Sequence, residues 1–288
     1  MRSAGSYFEL TKPRITAFIL MSTAIGFLFG AHLAPGWTWL QLLQTLLGTG
    51  LIAGGTAALN QWYESEPDGK MRRTKARPIP SGRLTSKQAF VFGIALSVIG
   101  FVELCWGVNV LTGLLGLFTL ASYLFVYTPL KRVSPISTTI GAIPGAMPPL
   151  IGYAAASGRL NFEAGILYAI LFLWQFPHFY AIAWMYREDY ARAGIRMLPV
   201  VEPDGDSTAR RILWFSLALI PISLAPSFFS MAGNIYLFGA LVLGALVLSA
   251  GVRVSSQRTA LRARQVLLAS VVYLPLLYGL LVLDGKRF

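Results

Sequence analysis

The chain has 288 residues, 55% of them hydrophobic and 12% charged, with 24 Lys and Arg against 12 Asp and Glu. Soluble globular proteins carry roughly 25% charged residues, so this composition, with a mean hydropathy of +0.61, excludes an ordinary soluble domain and a disordered chain. The lone Cys105 excludes a disulfide scaffold. An excess of 12 positive charges can signal nucleic-acid binding, but in a membrane protein basic residues collect on the cytoplasmic side, and no nucleic-acid partner is expected.

A membrane-crossing helix needs roughly 20 mostly apolar residues. In chain order nine stretches qualify: 14–33, 38–60, 87–106, 108–128, 136–157, 162–186, 210–230, 232–252 and 265–284. The chain reads as one polytopic all-α domain over 1–288. The first stretch has the length of a span and no small-residue cleavage site, so it is not read as a signal peptide. The fifth is the weakest, because it holds Gly141, Pro144, Gly145, Pro148, Pro149 and Gly152; neighbouring helices can re-satisfy backbone groups freed by such residues. With a cytoplasmic N-terminus, threading nine spans puts 21 of the 24 bases in cytoplasmic segments and leaves Arg159, Lys286 and Arg287 opposite, beside the C-terminus. That asymmetry supports the count and the orientation together.

The acids are unevenly placed as well. Glu64, Glu66 and Asp68 lie between the second and third spans, and Glu188, Asp189, Glu202, Asp204 and Asp206 between the sixth and seventh. The orientation rule ignores acids, so their clustering needs another cause. Asn60 and Glu64 are one helical turn apart and share a face. Pro67 disfavours helical geometry at Glu66, which predicts a helix end there and a turn at Asp68-Gly69 that folds Asp68 back towards Glu64. Polar groups near membrane depth mark a functional cavity. Carboxylates beside the basic run 70–83 suit Mg²⁺ with an anionic ligand. Mg²⁺ is held by one or two carboxylates plus substrate phosphates, and Arg and Lys take the remaining phosphate oxygens. No phosphate-binding glycine loop, zinc-type Cys/His cluster or nucleophile elbow occurs.

These residues carry a resemblance. Asn60-Gln-Trp-Tyr-Glu64-Ser-Glu-Pro-Asp68 followed by Met71-Arg-Arg-Thr74-Lys-Ala-Arg77-Pro78 resembles the first motif of the UbiA superfamily of membrane prenyltransferases. Leu10-Thr-Lys-Pro-Arg14, Tyr127-Thr-Pro-Leu-Lys131, the run Gly141–Tyr153, Trp174-Gln-Phe-Pro-His178, and Tyr186-Arg-Glu-Asp189-Tyr190 through Met197-Leu-Pro resemble its heme-farnesylating branch. The motifs run from residue 10 to 200, and the last three spans carry none. The resemblance implies transfer of farnesyl from farnesyl diphosphate to a vinyl group of heme B, with addition of water, giving heme O and diphosphate. It also implies a nine-span fold with the site towards the cytoplasm. Implied partners are the bilayer and a heme A synthase or terminal oxidase. A bacterial inner membrane is favoured over a mitochondrial one, because the short N-terminus has no Arg-rich presequence.

Mg²⁺ binding is assigned to Asn60, Glu64, Asp68 and Asp189. Glu64 stands where the family usually has Asp, one methylene shorter. Asp189 has three readings: metal binding, orienting Arg187, or acting as a base. Tyr186 and Tyr190 occupy the positions of a second acidic pair in many relatives, and their ring faces can stabilise a farnesyl cation. Arg73, Lys75, Arg77, Lys131 and Arg187 are the diphosphate candidates, while Arg72 and Arg83 read as solvated or lipid-facing. His178 is either a packed, hydrogen-bonded residue or a contact to heme, whose iron neutral imidazole suits. Arg192 and Arg196 are candidates for the heme propionates; His32 is given no role. Rival functions are prenyl transfer to a quinone or aromatic acceptor, transport, and oxidase assembly.

Overall fold

The computed structural model describes residues 2–286, without the side chains of Arg2 and Ser3. The expected placement of Arg287 and of the C-terminal Phe288 therefore lies outside the described residues. The described chain is all-helical.

Its helices are α1 (Arg2–Leu10), α2 (Pro13–Ala31), α3 (Trp39–Tyr63), α4 (Ser65–Lys70), α5 (Ser86–Val102), α6 (Val110–Ala121), α7 (Thr128–Leu130), α8 (Ser137–Gly145), α9 (Pro148–Ser157), α10 (Phe162–Met185), α11 (Arg187–Arg192), α12 (Leu198–Val201), α13 (Asp206–Phe228), α14 (Asn234–Ser256) and α15 (Ala260–Leu283). Local chemistry sets many starts. Pro13 sits in the first turn of α2, and Thr38, Asn109, Asn161 and Thr259 cap α3, α6, α10 and α15. Thr85 and Gln88 form a reciprocal capping box on α5.

Among the described residues, eight helices are long and apolar enough to cross a membrane. They match eight of the nine expected stretches. The fifth is in two pieces, α8 and α9, joined at Ala146 and Met147. Pro148 and Pro149 have no N–H to continue a ladder. Gln175 of α10 donates to the Ala142 carbonyl at 3.1 Å, tying α10 to α8 beside the break.

Two π-turn segments, Glu103–Val108 and Ser122–Tyr127, extend α5 and α6. The second precedes Pro129, whose ring would clash in a regular α-turn. The Thr128 hydroxyl donates to the Tyr123 carbonyl there at 2.8 Å.

α10 is the most buried of the eight spans, with 61% of its apolar stretch buried against 17% for the span Val110–Leu130. Large apolar side chains such as Leu43, Ile94, Val98, Val242 and Leu268 face outward, as lipid contact requires. α2 and α9 cross so closely that a methyl group at Gly26 would overlap the Pro149 carbonyl oxygen, and one at Gly152 the Thr23 carbonyl oxygen. Small residues permit such backbone approach where lipid supplies no hydrophobic drive.

The connections gather at two ends. At one end Arg83 pairs with Glu9 at 2.7 Å, and the Arg73 N–H donates to Asp189 at 3.3 Å. There too the Arg196 N–H reaches the Lys131 carbonyl at 2.8 Å, and Trp184 Nε1 the Arg258 carbonyl at 3.1 Å. At the other end Gln41 and Asn109 donate to the Ala155 and Ala154 carbonyls at 2.9 and 3.0 Å. Phe162 packs on Phe229 with ring centroids 4.8 Å apart, and the Gly233 N–H reaches the Asp284 carbonyl at 2.9 Å.

Candidate active site

The expected helix end at Glu66 is displaced. α3 stops at Tyr63, Glu64 is the junction, and α4 carries Glu66, Pro67, Asp68 and Gly69 in helical form. Pro67 lies in the first turn of α4, where its missing N–H has no helical partner to lose. Asp68 thus sits inside a short helix rather than a turn. Its N–H bonds the Glu64 carbonyl at 2.9 Å, as the Glu64 N–H bonds that of Asn60 at 2.9 Å.

Asn60, Glu64, Asp68 and Asp189 are all buried. Asn60 donates to Glu64 Oε2 at 2.9 Å and to the Thr128 hydroxyl at 3.3 Å, and accepts from Lys12 Nζ at 3.1 Å. Lys131 Nζ meets Glu64 Oε1 at 2.8 Å and lies 4.5 Å from the Tyr127 ring centroid. Arg77 meets Asp68 Oδ2 at 2.6 Å. Asp189 pairs with Arg192 and accepts the Arg73 N–H. The Arg73 guanidinium lies 5.1 Å over the Tyr186 ring. The two acidic connections are pinned together by a small buried cluster of Met71, Ala183, Ala193, Ile195 and Met197, with Tyr190 packed against it.

Burial opposes the charge on Glu64, but Lys131, through its charge and hydrogen bond, outweighs it with help from Lys12 and Asn60, and the carboxyl lies below its ordinary value. Lys131 is raised well above the lysine value: burial pulls it down, and Glu64 more than compensates. Lys12 behaves oppositely. Burial, then the charge of Arg77, lowers it to about 7. Its backbone is left-handed at φ 49°, ψ 61°, a conformation non-glycine residues hold only where the surroundings impose it.

A cavity of about 430 Å³ opens between the acidic connections, with Arg72, Arg73, Tyr186, Asp189 and Arg192 in its wall. Arg72, read from the sequence as solvated or lipid-facing, is exposed and stands in the wall of this cavity. Arg83 braces the surface through Glu9 and the Ala76 carbonyl. Lys75 and Arg196 are exposed. Arg187 turns towards Trp184, donating to its carbonyl at 2.9 Å and lying 4.5 Å over its ring. Arg192 is engaged by Asp189. His178 lies two helical turns below Tyr186, roughly 12 Å along α10 at 1.5 Å per residue, against Trp174 and Ser270.

Sequence reading passed over Lys12 and Thr128 as site residues. Lys12 stands in the quoted Leu10–Arg14 motif, which was the available signal.

The sequence profile of the UbiA prenyltransferase family matches residues 19–277. The chain belongs to the UbiA prenyltransferase family. It is 63% identical over 285 residues to the protoheme IX farnesyltransferase of Solibacter usitatus, covering 96% of this chain and 98% of that one. With the protein of the same name from Koribacter versatilis it shares 49% identity over 287 residues, covering 96% and 92%. The fold matches a digeranylgeranylglyceryl phosphate synthase with a TM-score of 0.81 at 16% identity over the full length of both chains. It matches a UbiA homolog of Archaeoglobus fulgidus, bound to GPP and Mg²⁺, at 0.66 and 14%, covering 96% and 99%. The fold described above is thus the one these structures share.

Proposed function

We propose that this chain transfers the farnesyl group of farnesyl diphosphate to a vinyl group of heme B. The observation that carries the reading is the buried set Glu64, Asp68 and Asp189, each bound to cationic or N–H donors at one end of a UbiA bundle, in a chain 63% identical to a protoheme IX farnesyltransferase.

Ionisation of the allylic C1–O bond leaves the electron pair on the diphosphate, so the site must stabilise an anion that grows in the transition state. Arg73, Arg77 and Lys131 stand ready to do so. The terminal vinyl carbon adds to farnesyl C1, forming the new C–C bond and leaving a cation at the vinyl carbon next to the porphyrin. Water adds there and loses a proton, giving the hydroxyethylfarnesyl group. Tyr186, already under a guanidinium, offers an aromatic face to the migrating cation.

The donors fit Mg²⁺: Asn60, Glu64, Asp68 and Asp189 supply hard oxygen ligands. Among the described residues no three acidic, His or Cys groups gather around one point, so these donors are not one preassembled cluster, and one or two carboxylates at a time would meet an ion completed by substrate phosphates and water. When bound there, Mg²⁺ supplies Lewis-acid stabilisation of the leaving diphosphate.

The proposal includes topology. α8 and α9 together make the ninth crossing, the site end faces the cytoplasm, and the membrane is the bacterial inner one. The product would pass to a heme A synthase or terminal oxidase.

The test is a product assay. Purified protein, heme B, farnesyl diphosphate and Mg²⁺ should yield heme heavier by farnesyl plus water, and none when the metal is chelated. Folded protein that leaves heme unchanged and prenylates a quinone precursor instead refutes the reading.

A further inference from the structure

Ser270 belongs to α15, in the part of the chain without motifs, and is fully buried. Its hydroxyl lies 2.7 Å from the Leu267 carbonyl oxygen and 2.9 Å from His178 Nδ1. A hydroxyl has one proton, and a carbonyl only accepts. The serine proton is therefore committed to Leu267, and Ser270 Oγ faces His178 as an acceptor. The hydrogen of that second bond must come from Nδ1. A neutral imidazole has one N–H, so Nε2 carries a lone pair. Nε2 makes no hydrogen bond among the described residues, and the residue is half-buried.

The ring plane is fixed as well. Trp174, one turn earlier on α10, stacks on His178 with centroids 4.9 Å apart and planes at 25°. Its indole N–H donates to the Ser270 carbonyl at 2.7 Å. Indole, serine and imidazole thus brace each other between α10 and α15. A neutral histidine offers one donor and one acceptor nitrogen. One whose Nδ1–H is anchored to oxygen while Nε2 stays open has the arrangement of a metal-binding imidazole.

We propose that Ser270 is a positioning residue: it holds His178 as the Nδ1–H tautomer and presents the Nε2 lone pair to the iron of the heme acceptor. The inference rests on the heme reading above, with heme as substrate. An imidazole on the iron fixes the macrocycle at one point, leaving its vinyl edge to be directed towards the prenyl donor.

The chain has two histidines, so ¹⁵N-histidine labelling gives two pairs of ring-nitrogen signals, and H178A assigns them. In ligand-free protein in detergent, His178 should show a protonated Nδ1 and an unprotonated Nε2. S270A should lose that preference, and S270T should restore it. Ferric heme titrated against the same proteins should show an imidazole-ligated spectrum in wild type, lost in H178A. Its binding should be about 10- to 100-fold weaker in S270A, the range for loss of a ligand's anchoring partner. A wild-type Nε2–H tautomer overturns the inference, as does S270A with an unchanged tautomer and unchanged heme affinity. If H178A binds heme with the wild-type spectrum while farnesylated heme is still made, the inference falls and the proposed function stands. If heme ligation depends on both residues but no farnesylated heme forms, the inference stands and the proposed function falls.

Discussion

Lys131→Met removes the cation from a buried ion pair while keeping the length of the side chain. Glu64 and Lys131 expose only 11% and 13% of their side chains and meet at 2.8 Å. Breaking such a pair by deleting one partner costs about 3–5 kcal/mol, because the remaining charge is left buried. Glu64 keeps its hydrogen bond from Asn60, and Lys12 is close by, which places the loss at the lower end, about 3 kcal/mol. For a chain of this size that is on the order of a 10 °C fall in midpoint, readable by tryptophan fluorescence on heating in detergent. Glu64→Gln in the same chain removes the stranded charge and should recover most of the loss. The pH dependence has a sign. In wild type the carboxyl is lowered, so its contribution is present above the ordinary carboxylate range and lost as pH falls through the lowered value. Without Lys131, burial raises it, and acid relieves the variant by protonation. The gap between wild type and variant should therefore narrow from pH 8 to pH 5. A single variant as stable as wild type, or a double variant no better than the single, refutes the pairing as the force that holds Glu64 charged.

Asp68→Asn should lower turnover by at least about 10²-fold, the loss expected for one electrostatic stabiliser of a developing anion, with membrane insertion unchanged by membrane fractionation; full activity would end its role. Gly152→Ala, which forces a methyl onto the Thr23 carbonyl, should destabilise by about 1–3 kcal/mol, whereas Gly165→Ala, with open space around it, should not; thermal midpoints compare the two. Lys12, lowered to about 7, is largely neutral at pH 8, and an adjacent diphosphate favours its charged form. Binding of a farnesyl diphosphate analogue should therefore take up a proton at pH 8 and weaken as pH rises from 7 to 9. Titration calorimetry in two buffers of different ionisation heat reads this uptake, and it should vanish in Lys12→Met.

The eight long helices were legible because hydropathy alone marks a stretch that must bury or face lipid. The shared face of Asn60 and Glu64 followed from helical spacing. The local proline rule misjudged Asp68, because its bias against helix does not bind in a first turn such as that of α4. What no local rule could supply were partners distant in the chain. Lys12 reaches Asn60 across 48 residues, Thr128 across 68, and Ser270 reaches His178 across 92. The fifth stretch was flagged by its prolines and glycines, but the Gln175 side chain that ties it to α10 is apparent only from α10 packing on α8. Arg187 and Arg192 are basic residues in a basic loop, and only geometry separates the one turned onto Trp184 from the one on Asp189.

The most direct measurement of the site's central role is equilibrium binding of a non-ionising farnesyl diphosphate analogue to the purified protein, with and without Mg²⁺, in wild type, Asp68→Asn and Asp189→Asn. Binding should be Mg²⁺-dependent in wild type and at least about tenfold weaker in both variants. Equal affinity in all three proteins, indifferent to the metal, would place the diphosphate elsewhere and contradict the assignment.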